Sequence, residues 1–303
     1  MKRCEALRDP ASTLGEAPRT RFERYRTPIG QIAAGADRQE QRRRLADSPI
    51  MPATDLRTET RPRAGRTAAP ALTDPALAEK ALVVHARLCP VYGCPIPYFH
   101  SLDPVSELIS SLLSHRTRNA ESGRAFKALR TRFPEWAAVI DADVLEIEAA
   151  IAGVTWPELK APRIRDVLRT LRDRCGTLDL AFLAGMEVEA ARAWLQAIPG
   201  IGPKTSAAVL SFSTLRMPAL PVDSHHHRVA QRLGLIGPRV DVGPAHVLLR
   251  AQLPTDWSAQ DLYDNHEILM LHGQQVCHHQ RPACGRCVLV DLCPSAKLPT
   301  REP

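Results

Sequence analysis

From about residue 74 onward, apolar positions recur at three- and four-residue steps, the period of helices that bury one face. The first such stretch opens at Asp74-Pro75 and runs through ALAEKALVVHARL, with proline at the first helical position. A second, over 104–116, is again opened by Asp-Pro. The same period predicts helices over 118–132, 143–152, 161–174, 178–185, 188–197, 203–213, 224–233, 243–252, 259–274 and 284–292. Breaks carry Pro or Gly, as at Pro134, Gly153, Gly176 and Pro199-Gly200. No alternating apolar run is long enough for a strand. The expected class is all-α with short connections.

Residues 1–75 lack this period. They hold few aromatics (Phe22, Tyr25), repeated Pro and Thr, and Arg-rich stretches such as Gln41-Arg42-Arg43-Arg44. Such a segment cannot offset the entropy of ordering, so 1–75 is expected to be a basic, disordered extension. It reads either as a solvated tail, or a misassigned start ahead of Met51, or as an arm that raises non-specific DNA affinity.

Charge then changes the picture. The net charge is +7, and residues 1–75 hold fifteen Lys/Arg against ten Asp/Glu, leaving the rest close to neutral. A DNA-binding core would therefore rely on local basic patches and backbone amides. Lysine is scarce, with six among forty basic residues, so each lysine's position is informative. No apolar run approaches 18 residues, and MKRCEALRDP lacks the apolar core of a signal peptide. These features predict a soluble, cytoplasmic protein with no membrane span.

Half of the eight cysteines fall within seventeen residues: Cys277, six residues, Cys284, two residues, Cys287, five residues, Cys293. Thiolates in one compact loop hold either structural zinc or an iron–sulfur cluster, and in a reducing compartment they point to metal. Cys89 and Cys94 are read as free thiols. Upstream, Leu195-Gln196-Ala197-Ile198-Pro199-Gly200-Ile201-Gly202-Pro203-Lys204-Thr205 ends one helix and opens another. Gly200 and Gly202 leave amides uncovered near a helix N-terminus, which suits a phosphate. An ordinary helix–turn–helix connector uses the same residues.

That hairpin closely resembles the helix-hairpin-helix of the endonuclease III superfamily of DNA glycosylases. Pro221-Val222-Asp223-Ser224-His225 resembles the family segment that supplies a catalytic aspartate. Leu271-His272-Gly273 and the six–two–five cysteine spacing resemble its C-terminal cluster loop. The resemblance covers residues 76–295 and implies a two-lobed glycosylase. One lobe, 104–215, is a helical bundle with the hairpin; 76–103 and 216–295 form the cluster-bearing lobe, and 296–303 is a tail.

The resemblance further implies a monomeric base excision repair enzyme that binds double-stranded DNA. It would act on oxidised pyrimidines and abasic sites as a glycosylase and an abasic-site lyase. Lys204 would be the nucleophile, Asp223 its ionised partner, and Cys277, Cys284, Cys287 and Cys293 would hold a [4Fe–4S] cluster. Gly200, Ile201, Gly202 and Thr205 would touch the DNA backbone, and His225 would support the site. Arg116, Arg118 and Trp156 would probe the DNA around an extruded nucleotide. Lys204, Arg116 and Arg118 also read as phosphate contacts, and Trp156 as a tryptophan packed on the fold.

Arg116, Asn119, Trp156, His226 and His227 depart from the family pattern. They leave open an altered or inactive DNA-binding homologue. An adenine- or mismatch-type glycosylase without lyase activity is the other alternative, which the lysine argues against.

Overall fold

A computed structural model describes residues 74–296, so nearly all of the expected N-terminal extension and C-terminal tail lie outside the described residues. Within them the chain is helical and has no strand, as the periodicity predicted. The α-helices are α1 (Pro75–Tyr92), α2 (Pro104–Ser114), α3 (Asn119–Arg132), α4 (Trp136–Asp141), α5 (Val144–Ala150) and α6 (Pro157–Cys175). There follow α7 (Val188–Gln196), α8 (Pro203–Phe212), α9 (Ser224–Leu233), α10 (Val242–Ala251) and α11 (Ala259–Gln275). Short 3₁₀ turns lie at Ala181–Gly185, Cys284–Arg286 and Val290–Leu292. The single helix expected over 284–292 is thus two turns separated by an extended Cys287. Among the described residues no helix is long and apolar enough to cross a membrane.

Local chemistry sets the helix starts. Asp74 accepts from the Ala76 N–H, and Asp103 from those of Val105 and Ser106, each just before a proline. Ser258 and Asp261 form a reciprocal capping box on α11. Three helices start without a side-chain cap at places the sequence had marked for DNA: α3 after Arg118, α6 after Trp156, and α8 after Gly202.

Buried apolar side chains separate into two main clusters. One is built from α2 to α8, with Leu108, Ile109, Leu168, Leu195 and Leu210 among its members. The other joins α1 to α9, α10 and α11 through Leu88, Val229, Leu249, Leu262 and Ile268. A small third cluster of Ala208 and Phe212 on α8 with Tyr263 on α11 lies where they meet. Gly273 lets α9 and α11 cross closely: a Cβ there would stand 2.9 Å from the His225 Cβ.

One expectation fails. Cys89 and Cys94 are not free thiols but a disulfide. Gly93, at φ 82°, reverses the chain at the end of α1, and both it and Cys94 donate to the Cys89 carbonyl. That turn brings the two Cα atoms to 5.0 Å, within disulfide reach.

Candidate active site

The hairpin forms as its glycines require. Gly200 takes φ 90°, a conformation glycine alone adopts readily, and Gly202 caps α8 in extended geometry. Ile198 and Ile201 anchor the turn in the first core. Ile201 is buried, so it can offer DNA its backbone but not its side chain. The first-turn amides of α8, beside Thr205, carry the partial positive charge that attracts an anion.

Lys204 is the second residue of α8 and is half-buried, its Nζ 6.0 Å from the Phe212 ring centroid. Asp223 caps α9 and accepts from the His226 N–H at 2.7 Å. The two share neighbours: both interact electrostatically with His266 and with Glu267 on α11. Burial alone would raise the Asp223 carboxyl, but His266 and then the His226 N–H outweigh it, and the group lies below its ordinary value. Burial drives His226 down to about 3 and His246 and His266 to about 4. All three rings are therefore neutral near pH 7, where the His226 N–H is the contact that favours the carboxylate.

His225 Nδ1 lies 3.2 Å from the Arg228 guanidinium, which donates to the Gly273 and Cys277 carbonyls. His226 is buried, and neither of its ring nitrogens has a hydrogen-bond partner. His227 instead lies 2.8 Å from the Val240 carbonyl.

Two loops stand beside the hairpin. Arg116 and Trp156 both hold positive φ, at 52° and 56°. Both are exposed, and the guanidinium lies 5.7 Å from the indole centroid. Thr155 ties the loops together: its N–H donates to Thr117 Oγ1 and its hydroxyl to the Arg116 carbonyl. Beneath them the buried Lys160 donates to the Leu113 and His115 carbonyls and to Thr117 Oγ1 at 2.7–2.9 Å. Arg118 is exposed and 4.0 Å from Glu121.

All four C-terminal cysteines line one small cavity together with Arg232 and His272. Among the described residues no three His, Cys, Asp or Glu side chains converge on a single ion. Four thiols round one cavity form a sulfur donor set of the kind that holds a structural metal or an iron–sulfur cluster. The surroundings suit sulfur ligands as well. Arg232 donates to Cys277 Sγ at 3.2 Å, and His272 Nε2 lies 3.4 Å from Cys287 Sγ.

Residues 109–253 match the family profile described as HhH-GPD superfamily base excision DNA repair protein. The chain is 30% identical over 188 residues to endonuclease III of Sulfolobus acidocaldarius, covering 61% of this chain and 79% of that protein. It belongs to the endonuclease III family. To the Escherichia coli K12 endonuclease III it is 28% identical over 214 residues, 71% of this chain and 94% of that one. A candidate DNA glycosylase of Arabidopsis thaliana is 32% identical over 191 residues, 63% of this chain and 61% of that protein. The chain thus spans less than two thirds of that relative's length. Its fold is that of a solved non-covalent endonuclease III–DNA complex, with TM-score 0.61, 23% identity, and 72% of this chain and 96% of that one covered. A trapped endonuclease III–DNA covalent intermediate gives TM-score 0.59 and 25% identity over 74% and 97% of the two chains.

Within this family fold, sequence reasoning missed Glu267, His266 and Lys160. A signal existed for the first two: Asp264-Asn265-His266-Glu267 is a run of four polar residues in the middle of α11, and all four are buried. Lys160 lies four residues after Trp156, but nothing local told of its three acceptors across the fold.

Proposed function

We propose that this chain is a base excision repair enzyme that removes oxidised or ring-saturated pyrimidines from duplex DNA and cleaves the strand at abasic sites. The observation that carries the reading is Lys204, held half-buried at the uncapped start of α8 beside the Asp223 cluster. An amine there can attack C1′ of the deoxyribose. The N–C1′ bond forms, the glycosidic bond breaks, and its electron pair leaves with the base, which takes up a proton. The nitrogen then sheds a proton and its lone pair opens the C1′–O4′ bond, with O4′ taking up a proton, and the resulting protonated imine acidifies the C2′ proton. Its removal forms the C2′–C3′ double bond and expels the 3′ phosphate. Asp223 stays ionised and steadies the cationic sugar.

DNA would lie along the seam between the two cores, which we take as two lobes, 104–215 and 76–103 with 216–295. The α8 amides and Thr205 would hold a phosphate. Arg116 and Trp156 would enter the gap left by the flipped nucleotide, where an arginine can hydrogen-bond the orphaned base. Cys277, Cys284, Cys287 and Cys293 would hold a [4Fe–4S] cluster, which supplies a rigid scaffold for this loop. We place the enzyme in the cytoplasm, acting as a monomer.

Borohydride trapping on abasic-site and thymine-glycol duplexes tests the reading. Wild type should give a covalent adduct on both, and Lys204→Ala should give none on either. No wild-type adduct on either duplex would sink the lyase assignment. An adduct on the abasic duplex alone would leave the base specificity wrong.

A further inference from the structure

Side chains of α1 and α11 reach the cysteine loop at points that the reaction above does not use. Arg87 of α1 donates to the Val288 carbonyl at 3.3 Å and to Asp291 at 2.6 Å, both between Cys287 and Cys293. Tyr92 closes α1, and its hydroxyl lies 3.2 Å from Nδ1 of the buried His272 in the last turn of α11. The other ring nitrogen, Nε2, lies 3.4 Å from Cys287 Sγ. The backbone of His272 reaches a second cysteine, since its carbonyl accepts from the Cys277 N–H at 2.7 Å. Tyr92 is itself fixed. It stands inside the turn that the Cys89–Cys94 disulfide spans, and Gly93 just after it donates to the Cys89 carbonyl. Resting on the cluster reading, we propose that Tyr92 and His272 are positioning residues that hold an N–H on the Cys287 thiolate. They thereby set how firmly the cluster is kept and how readily it is reduced.

The direction of this relay follows from the ligand. A cysteine binds iron as its thiolate, which can only accept a hydrogen bond. His272 Nε2 therefore carries the proton in the contact with Cys287. In the neutral ring Nδ1 is then a bare acceptor, and the Tyr92 hydroxyl donates to it. Without that hydroxyl the proton can sit on Nδ1 instead, which turns the Nε2 lone pair toward the thiolate. An N–H on a ligating sulfur draws off part of its charge and so favours the reduced, more negative form of a cluster. It also holds the sulfur in place, as the hydrogen-bond partners of metal ligands do. Cys277 has a donor of another kind, the Arg232 guanidinium at 3.2 Å, which offers only N–H groups. The imidazole beside Cys287 has one donor to place, so it needs a third group to choose its tautomer. Tyr92 is that group.

Iron release from the holoprotein tests this. With a chelator in excess, the visible absorbance of the cluster should fade about 10- to 100-fold faster in His272→Phe than in wild type. Tyr92→Phe removes one hydroxyl and keeps the ring, and it should speed the loss about 10-fold. His272→Gln can keep an N–H toward the sulfur, so it should lie nearer wild type than His272→Phe does. In the His272→Phe background, Tyr92→Phe should add less than about two-fold, because the relay runs through the imidazole. Release at the wild-type rate in both single variants overturns the proposal, and so does full additivity of the two.

The reduction potential separates this role from packing. Voltammetry of the holoprotein should give more negative values for Tyr92→Phe and His272→Phe, with part of the shift recovered in His272→Gln. A lowered melting temperature with an unmoved potential overturns the proposal, since packing alone would then account for the variants. Wild type that holds neither iron nor acid-labile sulfide fails the cluster reading itself, and the proposal falls with it. Iron and sulfide present with unchanged release fails the proposal alone.

Discussion

His226 shows what a single side chain costs in this site. Its imidazole is buried with both nitrogens unpaired, its ring centroid 5.8 Å from that of His266. An unsatisfied buried polar group costs about 1–3 kcal/mol, so His226→Val should stabilise the protein by roughly 1 kcal/mol or more at neutral pH. Urea denaturation measures it. The pH dependence gives a second check. Burial depresses the folded-state value to about 3, whereas an unfolded histidine titrates near 6.5. Below about pH 6.5 the unfolded chain binds a proton that the fold refuses, so stability drops as pH falls toward the folded value. His226→Val should make that loss shallower. A variant that is less stable at neutral pH with an unchanged acid slope would show that His226 has a partner in solution.

At the scale of elements, Lys160 fixes the α2–α3 loop to α6. Burial pulls its amine down to about 8, still charged at neutral pH, and three acceptors use its three protons. Lys160→Met keeps the stem but leaves buried acceptors unpaired, which should cost about 3 kcal/mol. Hydrogen exchange over 113–118 should rise, and abasic-site binding should weaken because Arg116 loses its fixed position. If exchange there is unchanged, the loop is held by Thr155 instead. Much of this level was legible in advance, because helix starts are written locally: Asp74-Pro75 and Asp103-Pro104 each state a cap and a first turn. The misses have local reasons too. Trp136–Asp141 is too short to show a period, and Pro162 hid a helix that begins earlier at Pro157. The Cys89–Cys94 disulfide depends on a left-handed Gly93 that spacing does not reveal. Lys160 and Glu267 draw their meaning from partners on other helices, which one segment of sequence cannot show.

Across the whole molecule, the proposed nucleophile and its carboxyl partner belong to different cores. Lys204 starts α8 of the first, and Asp223 caps α9 of the second. Cys277, Cys287 and Cys293 pack against that second core, and α9 is tied to the cysteine loop by Arg228 and Arg232 through the Cys277, His278 and His279 carbonyls. If a metal cluster completes this loop, its binding energy is folding energy for the second core, with little direct hold on the first. Removing it, by Cys287→Ser or by oxidative loss of iron, should therefore act unevenly. Amide exchange should accelerate about 10-fold or more over 277–293 and over the last turn of α9, a local loss of about 1.4 kcal/mol. Exchange in α2 to α6 should stay as it was. Trapping at saturating enzyme should fall less than DNA affinity, because Lys204 keeps its place on the intact core while the second wall of the seam loosens. Equal acceleration in both cores would mean that they unfold as one unit and that the cysteine loop stabilises the entire chain.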